Sequence, residues 1–302
     1  MYERILVPLD SSKLADVVLP YAEELAGAFN SEVNLLYVCE PKEEQYQWVH
    51  EFYLGKIAEL VKSHIRDNYP RKKGARIQVK SVVLVGKPSE VISDYANNND
   101  IGLIVIGSRG RFGITRRLMG EIADKVFQAT RMPLLLTTTT KLHPELVPGQ
   151  LLSRILLPLD GSESSEASIP YVMELTKKLR AEVTLLQVVA PGQHVHTVGG
   201  LNYVRLTEQQ IESMKESTRK YLEQVGSKLA GTGAIVQHEV RVGDDTAKEI
   251  ISIADEIGAR LIVITTRRSA GIGRRITGSK TQEILQATNI PVLLMRTRGL
   301  EV

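Results

Sequence analysis

The chain has 302 residues, 43% of them apolar and 5% aromatic, with 38 Lys plus Arg against 35 Asp plus Glu. Apolar content of this order excludes disordered and fibrous classes, and the near balance of charge excludes a general nucleic-acid or membrane-surface binder. The length exceeds what one core usually organises and predicts two domains of about 150 residues.

Residues Arg4–Leu9 read as a buried strand, and within Ala15–Phe29 the positions Val18, Tyr21, Ala22, Leu25 and Ala26 share one helical face. A second strand is predicted over 32–38. Cys39, at its end, is the only cysteine; it excludes an intramolecular disulfide, points to a reducing compartment and reads as a small buried hydrophobe. A long polar-faced helix over 45–69 follows, on which Trp48, His50 and His64 are expected in surface or interdomain packing. The third strand is placed at 76–85, the third helix at Pro88–Asn98 with proline in its first turn, and the fourth strand at 103–106. A loop rich in glycine and arginine then leads to a helix ending near Ala129 and a fifth strand over 133–137. The tract 141–152, with Pro144, Pro148 and Gly149, reads as a linker. No apolar run approaches the roughly 18 residues that span a bilayer, so a soluble, cytoplasmic protein is expected, with neither membrane nor nucleic acid as partner.

The pattern then begins again. Residues 4–41 align without gaps on 154–191, and 17 of those 38 positions are identical, against about two expected by chance at residue frequencies near one in twenty. The later parts align at an offset of 158, matching Gly120 with Gly278 and Pro133 with Pro291. Alternating strands and helices imply a parallel sheet covered on both faces. The expected fold class is α/β: two tandem doubly wound domains, each with a five-stranded parallel sheet and helices on both faces. Their bounds are placed at 1–140 and 153–302, with the linker at 141–152. Pro133 and Pro291 open the last strands, which puts those strands at sheet borders that could pair.

Ligands of doubly wound sheets collect beyond the carboxyl ends of the strands, where the chain order reverses. Asp10 lies at such an end, after the first strand. The loop at 106–121, I-G-S-R-G-R-F-G-I-T-R-R-L-M-G-E, lies at another and returns at 264–279 as I-T-T-R-R-S-A-G-I-G-R-R-I-T-G-S. Gly107 and Gly110 would let backbone N–H groups approach a phosphate, and a helix beginning near Gly120 would direct its positive end there. Asp10 suits a ribose hydroxyl or an adenine edge better than a phosphate.

V-P-L-D at the end of the first strand, followed by G-x2-G-x9-G after the fourth, resembles the universal stress protein family, and the duplication resembles its tandem two-domain members. The likeness covers nearly the whole chain in both halves. The family pattern continues with Ser or Thr, and its ATP-binding members use this stretch for ribose and phosphates. For the first unit the resemblance implies nucleotide contacts from Asp10, Val38, Ile106, Gly107, Arg109, Gly110 and Gly120, with Glu121 where the hydroxyl residue belongs. For the second it implies Asp160, Val188, Ile264, Gly278 and Ser279, with Thr265 and Arg268 where the two early glycines belong. The implied cofactor is ATP or AMP, with or without Mg.

The departures carry different physical costs. Glu121 brings a carboxylate toward the expected triphosphate, and two like charges about 4 Å apart repel by around 4 kcal/mol at an effective dielectric of about 20; Arg111, Arg116 and Arg117 could offset that. Arg268 blocks close backbone approach yet could itself grip phosphate, with Arg267, Arg274 and Arg275 nearby and Gly271 and Gly273 loosening the loop.

Other readings stay open. The arginines could form a solvated surface cluster, and Asp10 and Asp160 could cap the following helices through Ser11-Ser12 or Gly161-Ser162. Both sites could have decayed, leaving a scaffold that presents a surface to a protein partner. His194 and His196 share one face of an extended segment, but no carboxylate or cysteine completes a zinc set, so no metal site is predicted. No general base accompanies a nucleophile and no lysine follows the glycines as in a Walker loop; no catalytic residue is assigned, and at most slow ATP hydrolysis is expected. A nucleotide-activating transferase would need a lysine-rich or S-G-G-x-D-S-type loop after the first strand, where this chain has V-P-L-D-S-S. The tandem arrangement resembles a fused dimer, so a pseudo-dimeric monomer or a homodimer of it is expected.

Overall fold

A computed structural model describes residues 1–10, 15–69, 78–108, 119–137, 147–197, 200–267 and 278–297. The first unit runs β1 (Arg4–Leu9), α1 (Ala15–Phe29), β2 (Glu32–Cys39), a 3-10 helix (Pro41–Tyr46), α2 (Gln47–Asn68), β3 (Val79–Val85), α3 (Pro88–Asn98), β4 (Leu103–Gly107), α4 (Glu121–Ala129) and β5 (Leu134–Thr137). The second runs β6 (Arg154–Pro158), α5 (Glu163–Glu166), α6 (Ile169–Leu179), β7 (Glu182–Val189), β8 (Gly192–Thr197), β9 (Gly200–Arg205), α7 (Glu208–Ala230), β10 (Val236–Val242), α8 (Thr246–Glu256), β11 (Leu261–Arg267), α9 (Ser279–Ala287) and β12 (Val292–Thr297).

Ten strands form one sheet in the order β10-β7-β6-β11-β12-β5-β4-β1-β2-β3. Within each unit every neighbouring pair is parallel, as the continuous apolar runs of the central strands require for a sheet buried on both faces. The border strands β5 and β12 join the units by antiparallel pairing, with Leu134, Leu135 and Leu136 opposite Leu294, Leu293 and Val292. The prolines that precede both strands therefore mark the seam between the units.

Two apolar layers flank this sheet, and each runs through both units. One packs α1, α2, α6 and α7 and includes Tyr2, Leu25, Leu54, Ile65, Val172 and Leu222. The other packs α3, α4, α8 and α9 and includes Ile92, Phe127, Ile250 and Ile284. All five apolar residues expected on the inner face of α1 are buried. Cys39 is fully buried too, and burial pushes its thiol pKa up.

Long-range polar contacts hold the units in register. The buried Glu24 carboxylate accepts the N–H groups of Gly149 (2.8 Å), Leu151 (3.0 Å) and Leu152 (3.0 Å), so the described end of the 141–152 tract is tied to α1. Its duplicate, Glu174, faces the N-terminal ammonium of Met1 at 3.8 Å. Arg296 of β12 donates to the carbonyls of Phe127, Gln128 and Thr130, satisfying the C-terminal end of α4 across the seam.

Three local features differ from the sequence expectation. Pro41 opens a 3-10 turn, so α2 proper begins at Gln47. The second strand extends to Cys39. The second unit also inserts an antiparallel hairpin, β8 with β9, where the first unit has the 3-10 turn. On α2, Trp48 is exposed, His50 stacks on Tyr37 with ring centroids 4.1 Å apart, and His64 lies 3.3 Å from Glu23.

Candidate nucleotide site

The order of strands reverses between β1 and β4 in the first unit, and between β6 and β11 in the second. After β1 the chain builds outward through β2 and β3; it then returns to the other side of β1 as β4. Direct pairing of Ile5 with Leu103 and Leu6 with Ile104 sets the ends of β1 and β4 side by side. Asp10 and Gly107 therefore share one carboxyl edge. Val38, half-buried near the end of β2, and Ile106, buried in β4, face the same apolar layer as α3 and α4.

Gly120 closes this crevice. Its N–H donates to the Ser108 carbonyl at 2.8 Å, and a Cβ built on it would lie 2.7 Å from that oxygen, so a side chain has no room. The contact pins the start of α4 against the end of β4. Gly120 is the N-cap and offers no side-chain acceptor, so it does not itself cap the first N–H groups of α4, and a helix start of this kind can bind an anion. Glu121 is exposed and bends back along its own helix to Lys125 at 2.6 Å; that ammonium holds its carboxyl below the usual carboxylate range. Its charge is thus locally compensated. Arg109, Gly110, Arg111, Arg116 and Arg117 lie outside the described residues, as do Ser11 and Ser12.

The second unit repeats the frame with different chemistry. β6 and β11 pair through Ile155–Leu261 and Leu156–Ile262, which sets Asp160 and Thr265 at one carboxyl edge. Val188 and Ile264, half-buried, pack against the layer that holds α8 and α9. Asp160 Oδ1 accepts the Ser162 N–H (3.0 Å) and hydroxyl (2.5 Å), while Ser162 caps α5 by accepting the Ser165 N–H. Gly278 is the N-cap of α9, and nothing among the described residues lies within 4 Å of its would-be Cβ. Ser279 is exposed at the first position of that helix. The next residue, Lys280, reaches Asp245 at 3.0 Å, and Asp245 in turn caps α8 through the N–H groups of Ala247 and Lys248. Arg268, Gly271, Gly273, Arg274 and Arg275 lie outside the described residues, and so does the Arg267 side chain.

Two residues at these strand ends were not singled out by the sequence. Thr137 is fully buried and Thr266 nearly so, and neither hydroxyl has a hydrogen-bond partner among the described residues. Buried unpaired hydroxyls are rare enough to need a reason. Thr137 is paired in register with Gly107, so an unmet donor stands beside the strand-end glycine. The available signal was positional: Thr137 ends an otherwise unbroken leucine run.

The hairpin borders the second crevice. β8 starts three residues after β7 ends, and Tyr203 of β9 donates its hydroxyl to Asp244, beside the Asp245 that holds Lys280. His194 and His196 lie on β8, and their side chains are outside the described set. Among the described residues no group of three or more His, Cys, Asp or Glu is placed to hold a metal ion, and no helix is long and apolar enough to cross a membrane.

The profile of the Universal stress protein family matches the chain twice, over residues 1–138 and 152–296. Universal stress protein Slr1230 of Synechocystis is 22% identical over 318 residues, spanning 97% of this chain and 100% of that one. A solved universal stress protein from Archaeoglobus fulgidus covers 98% of this chain and 99% of its own at 20% identity, with a TM-score of 0.69. A smaller solved universal stress protein, in complex with cAMP, is 18% identical and covers 46% of this chain and 98% of that one, with a TM-score of 0.35. Two matches in one chain agree with the duplicated sequence and with the two halves of the sheet: the chain belongs to the universal stress protein family and is a tandem member of it.

Proposed function

We propose that this tandem universal stress protein binds an adenine nucleotide, ATP or AMP, in its first unit, without rapid turnover, and reports nucleotide state in a stress response. The observation that carries this reading is the contact between Gly120 and the Ser108 carbonyl. It sets the start of α4, where the N-cap Gly120 has no side chain to cap it, at the end of β4, one strand from Asp10. Asp10 would receive a ribose hydroxyl or the adenine edge, Val38 and Ile106 would line the base, and the N–H groups after Gly120 would meet phosphate. Arg109 and Gly110 belong to the same sequence motif and would complete the phosphate contacts. The lone, buried Cys39 is consistent with a reducing, cytoplasmic setting.

Calorimetric titration of the full chain with ATP and with AMP, with and without Mg, tests the reading. Heat of binding is expected for the wild type and is expected to fall at least about tenfold in affinity in Asp10→Ala, a loss of about 1.4 kcal/mol. Absence of heat and of thermal stabilisation at millimolar nucleotide would sink it.

A structural role or an altered anion site is the reading for the second unit. Asp160 Oδ1 already serves Ser162, and Thr265 stands where the first unit has Gly107. Asp160→Ala should therefore leave the nucleotide isotherm unchanged.

A further inference from the structure

We propose that the outer face of α2 is a self-association surface, on which a second copy of the chain packs antiparallel about a two-fold axis near Phe52. The inner face of α2 is settled: Leu54, Ala58, Val61 and Ile65 are buried against the sheet. An amphipathic surface helix should be polar on the opposite side. The first two turns of α2 are not. Trp48 and Phe52 are 69% and 68% exposed, and Tyr46, Val49 and Tyr53 are exposed around them. At about 100° per residue, Trp48, Val49, Phe52 and Lys56 fall on one arc directly away from the buried stripe.

The duplicated unit serves as an internal control. Its α7 takes the place of α2 against the second half of the sheet, and none of its large apolar side chains is exposed. The fold therefore has no need of the α2 aromatics, and a contiguous exposed aromatic patch marks an interaction site.

Gly55 supplies a separate observation. It lies inside α2, where glycine costs about 1 kcal/mol relative to alanine, and nothing among the described residues approaches its would-be Cβ within 4 Å. No packing among the described residues explains it. Placed one turn beyond Phe52, it leaves a notch that admits a side chain from a second helix.

Charge selects the occupant. The approach to α2 and its first two turns carry Glu40, Glu43, Glu44 and Glu51 against Lys42, whereas its later turns carry Lys56, Lys62 and Arg66 against Glu59 and Asp67. A segment acidic at one end and basic at the other is complementary to an antiparallel copy of itself, as an isologous contact requires. With the axis near Phe52, Trp48 of one copy lies beside Lys56 of the other, and Val49 lies over Gly55. Lys56 already sits over an aromatic face within its own chain, 5.4 Å from the Phe52 centroid. The β5 and β12 borders are consumed by each other, so they do not offer a competing route.

Sedimentation velocity of the full chain across a roughly hundredfold concentration range reads the outcome. A reversible dimer is expected, with its dissociation constant raised at least about tenfold by Phe52→Glu. Gly55→Leu should raise it similarly while the thermal midpoint stays level or rises, because the substitution favours the helix and fills the notch. Circular dichroism checks that both variants fold, and Gly55→Leu decides the matter if Phe52→Glu does not. A wild type that is monomeric throughout overturns the proposal, including the case where it instead binds a Lys- and Arg-rich amphipathic peptide. A dimer that persists unchanged in both variants overturns it as well.

Discussion

A methyl group added at Gly120 would lie 2.7 Å from the Ser108 carbonyl oxygen, whereas the same addition at Gly278 meets nothing within 4 Å among the described residues. Both residues have ordinary negative φ, so backbone strain does not separate them. Gly120→Ala should thus cost about 1–3 kcal/mol through overpacking, while Gly278→Ala should stay within about 0.5 kcal/mol. Urea denaturation of the two variants checks this, and equal costs would mean that Gly120 does not fix α4 to β4. Glu24 makes a comparable case in the other direction. It is a buried carboxylate with three backbone donors, and Glu24→Ala strands those N–H groups, at a cost of about 3 kcal/mol. Glu24→Gln retains one acceptor and should lose less in the same denaturation series. Sequence reading did not find this role, because the partners lie more than a hundred residues away and helix α1 would hide an acidic side chain among its polar positions.

The elements were legible where a local signal marks their ends. Pro88 begins α3 and the apolar spacing of α1 recovers Ala15–Phe29 because both signals act within a few residues. The hairpin was not predicted, although Gly199-Gly200 is a turn signal; the register pairs Thr197 with Gly200, so Gly200 opens β9. The seam was legible in part, since proline at the head of both final strands placed them at borders, but only the structure gives their register. The crevice was legible in its frame and not in its detail: Asp10, Gly107 and Gly120 could be placed by topology, while Lys125 beside Glu121 and the Thr137 hydroxyl, without a partner among the described residues, depend on side-chain directions. One such detail links α8 to α9. The Lys280 ammonium and the capped N–H groups hold the Asp245 carboxyl below its ordinary 3.8. A carboxyl depressed in the folded state contributes stability above its unfolded pKa and loses it as pH falls through the folded value. The stability advantage of wild type over Asp245→Ala should therefore be present at neutral pH and shrink as pH drops below about 4. Thermal denaturation at both pH values measures it, and an advantage that grows on acidification would contradict the assignment.

At the scale of the whole molecule, the question is whether two units of one family melt as two bodies or one. Independent domains are the ordinary expectation when the surface between them is small and polar. Here the surface is neither: the ten strands form one sheet, and both apolar layers continue from unit to unit. Tyr2 of the first unit packs against Tyr171 of the second, with ring centroids 6.4 Å apart. Two of the polar ties reinforce the seam from opposite faces of the sheet, Glu24 from the α1 side and Arg296 from the α4 side. A single cooperative endotherm is expected in scanning calorimetry, with the van't Hoff enthalpy close to the calorimetric one. Arg296→Met keeps the apolar stem while removing the donor that serves three carbonyls, and should cost about 2 kcal/mol. Combined with Glu24→Ala, it removes the Glu24 and Arg296 ties and leaves the units held by three border-strand residue pairs, the Met1–Glu174 and Tyr2–Tyr171 polar contacts and apolar packing. The double variant should broaden or divide the transition without abolishing either half. Two resolved transitions in the wild type would show instead that the shared sheet is a docking contact between bodies that fold separately.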